Sequence, residues 1–193
     1  MKKFFHDYSY SVVKMFINQL AIAIFGSSLA FATTAAYSGD GFDTFTLIVS
    51  IFSTLFYLFL IYNLSWEIGA KDRIAVDVKK KPYRPWLGFF LSFLANIPNF
   101  IIITIYAISG SGIMSLITRL TNGMYWGSLC VISIPQNGTW IPLQTYWWAF
   151  LIATLPAILT SGMAYYCGHK NFKFFGFITD KKPATTIDRP NMK

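Results

Sequence analysis

The chain has 193 residues, enough for one domain, and is 54% hydrophobic but only 12% charged, against roughly 25% charged in ordinary soluble domains. That composition excludes a soluble globular protein of this size and asks for a bilayer as solvent. The net charge of +8 would suit nucleic acid only if the basic residues shared one folded face; they sit in clusters between long uncharged stretches, so nucleic acid is excluded as a partner.

A transmembrane helix needs about 20 mostly apolar residues. Four stretches meet that length: about 15–36, 44–66, 86–108 and 146–167. They predict a single polytopic, all-α integral membrane domain over 1–193. Ala30-Phe31-Ala32 resembles a signal-peptidase site, but the apolar run continues to Ala36, which favours an uncleaved first helix. That helix carries small residues at four-residue spacing, Gly26, Ala30 and Thr34 in one row and Ser28, Ala32 and Ala36 in the next. Small residues let helix backbones approach closely in lipid. The rows form a packing face, either for the protein's own helices or for a partner subunit or second copy. Tyr37 to Asp43 then forms a turn rich in turn formers.

Polar residues recur in the half of the spans nearest the basic loop. Asn18 and Gln19 lie about one turn inside the first helix, Asn63 and Glu67 share a face of the second, and Asn96 and Asn99 flank Pro98 in the third. One reading is interhelical hydrogen bonding, worth roughly 0.6 kcal/mol per contact. The other is an intramembrane site at Asn63, Glu67, Asn96 and Asn99. Pro98, and Pro156 in the fourth helix, each remove a backbone hydrogen bond, and broken helices with polar neighbours line substrate sites. Glu67 is then the cation or proton partner, unless it simply pairs with Lys71 one turn on. The basic loop Lys71 to Arg84 serves topology and attraction to anionic lipid.

The segment Ser109 to Thr145 holds an apolar run, Ile113 to Ile134, interrupted by Arg119. An arginine near a helix centre costs about 2.5–3.5 kcal/mol on insertion. The run therefore reads as an outer-face amphipathic or re-entrant segment broken near Asn122-Gly123, with a fifth span as the alternative. Arg119 is a candidate contact for a lipid phosphate or anionic substrate, or a partner for Asp40 or Asp43. Asn137-Gly138-Thr139 matches a glycosylation sequon. After the fourth helix, phenylalanines from Phe172 to Phe177 interleave with lysine as an interfacial anchor, and a polar tail runs from Asp180 to Lys193.

Orientation follows from charge. All but one of the 16 Lys and Arg residues fall before the first helix, at its opening, between the second and third, or after the fourth; Arg119 is the exception. The positive-inside rule places both termini in the cytoplasm. Aromatic belts agree, with Trp66, Tyr83, Trp86, Tyr165 and Tyr166 at the inner ends and Trp140, Tyr146, Trp147 and Trp148 at the outer. Cys130 and Cys167 are separated packing residues, predicted toward opposite faces and unsuited to a disulfide. No HExxH, GxSxG, Walker or Rossmann pattern is present, so no catalytic, metal or cofactor site is expected.

The leading expectation is a non-catalytic subunit of a larger membrane assembly, such as a transport or secretion complex of the bacterial inner membrane. Its partners would be lipids and another protein or a second copy. The alternatives are a self-contained small transporter, channel or lipid-binding protein, and an immunity or stress-response membrane protein acting through Arg119.

Overall fold

The computed structural model describes residues 2–36, 44–78, 82–132 and 143–172, and every regular element among them is helical. In chain order these are α1 (Lys2–Ala36), α2 (Thr44–Asp77), α3 (Leu87–Ser109), α4 (Gly112–Thr121), α5 (Trp126–Ile132) and α6 (Trp147–His169). Helices α1, α2, α3 and α6 are long and apolar enough to cross a membrane, the pattern of a multi-pass membrane protein. The first-helix turn, the sequon, Trp140, the phenylalanine-rich anchor beyond Phe172 and the polar tail lie outside the described residues.

Two helices outlast their apolar stretches. α1 begins at Lys2 rather than near Met15, and α2 runs on to Asp77 rather than ending near Trp66. Lys, Arg and Glu are good helix formers, and Glu67–Lys71 and Arg73–Asp77 make i,i+4 ion pairs along the extension. The basic loop is thus much shorter than Lys71 to Arg84, and its first half is helix.

The inside of the bundle is more polar than the outside. Phe31, Phe45, Ile101, Leu155 and Met163 are each at least half exposed, while Gln19, Ser50, Ser53, Asn96 and Asn99 are buried. A soluble protein would reverse that distribution; a bilayer rewards it. α2 and α6 make the most extensive helix pair. Glycines permit it: a Cβ at Gly69 would collide with the Tyr165 carbonyl, and one at Gly168 with the Trp66 carbonyl. The start of α1, the end of α2 and the end of α6 meet through Tyr8, Asp72 and Tyr165. They define the basic end of the bundle.

Among the described residues the apolar run does not form a fifth span: 112–132 fold as α4 of 10 residues and α5 of 7, joined by a 3-10 turn at Gly123–Tyr125. At 1.5 Å per residue these reach about 15 and 10 Å, against roughly 30 Å of hydrocarbon. The turn into α4 is written locally. Gly110 takes a left-handed φ of 57° to end α3, and the Ser111 hydroxyl caps α4 by accepting from Met114 N–H at 3.2 Å.

Contacts fix the hairpin's course. α4 descends beside α3 until Asn122 meets Asn99, about 15 Å below the α3 end at Ser109. The turn then crosses α1, where Gly123 lies against Ala23 and Ser27. α5 climbs back along α2, from Met124 beside Ser50 and Thr54 to Gly127 beside Thr46. The segment enters and leaves from the same end, opposite the basic end, and turns near mid-depth. That path has the shape expected of the re-entrant alternative.

Candidate functional site

The break in the hairpin organises the bundle's polar interior. α4 ends at Asn122, whose backbone N–H and side-chain Nδ2 both donate to the Thr118 carbonyl, at 3.1 and 3.0 Å. The same amide forms a reciprocal pair with Asn99: each Nδ2 donates to the other's Oδ1 at 3.0 Å. Both side chains are buried. From α2, the Ser50 and Thr54 hydroxyls donate to the Met124 carbonyl at 2.9 and 3.1 Å. Those two bonds cover the exposed backbone of the turn, as non-helical chain at membrane depth requires.

Close approach to α1 needs glycine on both sides. A Cβ on Gly123 would overlap Ser27 Oγ and stand 2.5 Å from the Ala23 carbonyl; one on Gly26 would stand 2.6 Å from Met124 Cα. The row Gly26 and Ala30 is therefore buried against the protein's own hairpin side, while Ser28 and Ala32 of the second row are exposed. The side chains of Thr34 and Ala36 lie outside the described residues.

Around this layer, four buried oxygens lack a hydrogen-bond partner: Gln19 Oε1, Ser53 Oγ, Asn96 Oδ1 and Thr118 Oγ1. They come from four different helices, α1 to α4. Each lies within about one turn of a residue that touches the break. Gln19 precedes Ala23 by four positions, Ser53 adjoins Thr54, Asn96 precedes Asn99 by three, and Thr118 precedes Asn122 by four. Buried polar groups in native proteins are almost always paired, with protein or with water. Buried oxygens left without a protein partner are the kind of group that ordered water satisfies.

Of the residues predicted as an intramembrane site, the fold brings together only part. Asn99 and Asn96 face this interior, with Asn96 Nδ2 donating to the Ser92 carbonyl at 2.9 Å. Asn63 is half-buried and meets no hydrogen-bond partner among the described residues. Glu67 is exposed and bonded to Lys71 one turn on, at the mouth of a cleft of about 260 Å³ between α1 and α2 that also meets Lys14 and Asp72. Pro98 is half-buried between the two asparagines, whereas Pro156 is exposed on the outer face of α6. Sequence reasoning placed Gln19 in a polar layer but did not pair Asn99 with Asn122.

It also overlooked the basic end. Asp72 is buried, not a loop charge, and its Oδ2 accepts from Tyr8 Oη at 2.8 Å and Tyr165 Oη at 3.1 Å. Tyr165 is thus not an interfacial belt residue; only Tyr166 of that pair is exposed. Nearby, Ser161 links α6 to Ser65 at 2.8 Å and to the Gly88 carbonyl at 2.9 Å. His169 lies against Tyr83 with ring centroids 4.1 Å apart and planes tilted by 56°, its Nε2 buried with no hydrogen-bond partner among the described residues.

Arg119, one turn above the break, is exposed, and its guanidinium lies 4.7 Å from the Trp126 ring centroid. Among the described residues it meets no carboxylate; Asp40 and Asp43 lie outside them. Cys130 and Cys167 are both half-buried and are not joined in a disulfide. Among the described residues no three metal-ligating side chains gather. No family model matches the chain, and neither a curated protein nor a solved structure shows significant similarity to it.

Proposed function

We propose that this protein is a self-contained, non-catalytic membrane protein that binds and passes small uncharged polar solutes through its bundle. The observation that carries the reading is the set of four unpartnered oxygens surrounding a mid-depth helix break. Helix breaks at that depth occur where they are buried in protein or line a polar cavity. The four unpartnered groups are all amide or hydroxyl oxygens, to which a neutral solute can hydrogen-bond in place of water. An ion would find no countercharge there, which is costly in a low-dielectric interior. The clustering of Lys and Arg supports a bacterial inner membrane with both termini cytoplasmic.

A direct test uses purified protein in phosphatidylcholine vesicles, with glycerol and urea as probe solutes and stopped-flow light scattering as the readout. The expected result is reswelling faster than in protein-free vesicles, slowed toward the protein-free rate by the paired substitution Asn96→Leu and Thr118→Val. Protein-free rates for both solutes with the unmodified chain would remove the proposal.

A second reading, a subunit of a larger transport or secretion assembly, is favoured by one feature. Ser28 and Ala32 are left exposed on α1, a small-residue row with nothing packed on it among the described residues. A stoichiometric protein co-purifying in mild detergent, lost on Ala32→Leu, would support it; a lone chain would not.

A further inference from the structure

At the basic end, the cleft of about 260 Å³ between α1 and α2 gathers five charged side chains. Asp7 and Lys14 come from α1, and Glu67, Lys71 and Asp72 from α2. Glu67 and Lys71 neutralise each other one turn apart. Lys14 makes no ion pair among the described residues. Asp72 is buried, and the Tyr8 and Tyr165 hydroxyls both bond its Oδ2, so Oδ1 keeps its capacity to accept from a ligand.

The order of these groups along the cleft decides what fits. α1 starts at the basic end and α2 finishes there, so the Tyr8–Asp72 bond, with Asp7 beside it, marks the outermost level. Lys14 lies about 10 Å deeper along α1. Leu64, about 12 Å deeper than Asp72 along α2, gives the inner part an apolar wall. The Cα–Cβ bond of Lys14 tilts toward the helix N-terminus, here the basic end, and a long stem can snorkel the same way. From the mouth inward the cleft thus offers carboxylates, then a cation, then apolar surface. A phospholipid whose headgroup ends in a primary ammonium presents the complement in the same order: ammonium outermost, phosphate next, acyl chains beneath.

We infer that the α1–α2 cleft binds one phosphatidylethanolamine-type lipid from the leaflet at the basic end, its ammonium on Asp7 and Asp72 Oδ1 and its phosphate on Lys14. A primary ammonium brings three N–H donors, and its bonds to carboxylate are charge-assisted. A choline headgroup brings the same charge with no N–H to donate. A purely anionic headgroup lays no positive charge against the two aspartates. The site lies at the level where α1 and α2 leave the apolar layer, away from the helix break, and it is independent of the solute path proposed above.

The test is lipid retention. The full chain is reconstituted in vesicles of equal phosphatidylethanolamine, phosphatidylcholine and phosphatidylglycerol, re-extracted in mild detergent and examined by native mass spectrometry. The expected spectrum shows one phosphatidylethanolamine per chain, retained roughly tenfold over phosphatidylcholine, as charge-assisted hydrogen bonds imply. Asp7→Asn should shrink that preference, whereas Lys14→Gln should lower retention of all three lipids together. Both side chains are exposed, so neither change disturbs packing. Ser11→Trp fills the cleft while keeping every charge and is expected to expel the lipid; it carries the test should a charge variant fail to give monodisperse protein. Equal retention of phosphatidylethanolamine and phosphatidylcholine, or unchanged phosphatidylethanolamine in the folded variants, would overturn the assignment. Preferential retention of phosphatidylglycerol would overturn it too, leaving only the attraction of a basic surface for anionic lipid.

Discussion

Two polar clusters join the helices of this bundle, and they are finished to different degrees. At the basic end, one carboxyl oxygen of Asp72 receives both tyrosine hydroxyls, and three helices are tied at a single atom. At mid-depth, the Asn99–Asn122 pair is equally well made, but four oxygens around it have no partner. A satisfied buried network rigidifies and specifies an arrangement, while an unsatisfied one costs free energy for as long as it stays empty. On the function proposed above, the basic end holds the helices in register, while the middle both joins helices through Asn99–Asn122 and keeps unpaired oxygens for a solute.

The largest effect that sharpens this contrast is steric. Gly123→Val would drive a branched side chain into Ser27 Oγ and the Ala23 carbonyl, where backbone and not a movable tip is in the way. Overpacking of that kind costs about 3 kcal/mol. The expected outcome is loss of folded protein, read by size-exclusion chromatography in detergent. A folded Gly123→Val would mean that the hairpin can leave α1 without consequence. Next comes Tyr165→Phe, which leaves the Asp72 carboxyl with one donor and should destabilise by about 2 kcal/mol, the worth of a hydrogen bond to a charged group. Unfolding in mixed micelles measures it. A change near zero would deny the basic end its fastening role.

Most of this architecture can be read from periodicity, and the oversights are periodicity abandoned too early. The buried stripe of α2 runs Tyr57, Ile61, Leu64, Ile68 and then Asp72, at three- and four-residue steps. Stopping the helix at the end of its apolar stretch, near Trp66, hid the last member of that series and turned a buried carboxyl into a loop charge. α1 shows the same continuity in the other direction, from Met15 back to Tyr8. The broken hairpin was legible from Arg119 and Asn122-Gly123, because a charge and a poor helix former both argue against an unbroken span. The Asn99–Asn122 pair was not. It depends on α4 descending as many residues as α3 rises above Asn99, a register that only the three-dimensional path reveals. Of the two readings open for Glu67 in the sequence, the structure shows the pairing with Lys71 one turn on.

The smallest expected effect is the most discriminating. Replacing a polar residue in a finished network leaves its partners unpaired, whereas replacing one whose oxygen is already orphaned removes a desolvation penalty that the fold has been carrying. Asn96→Leu gives up one bond to the Ser92 carbonyl but also relieves Oδ1, and Leu has a similar volume. Its stability should therefore stay within about 1 kcal/mol of the unmodified chain, with Gln19→Leu behaving alike. Comparable losses in these variants and in Tyr165→Phe would mean that the mid-depth oxygens bind ordered water as tightly as Asp72 binds its tyrosines, and the two clusters would then both be structural. Near-neutral stability together with lost solute flux would separate them: a layer whose polar groups contribute nothing to folding but are needed for passage is retained for what passes.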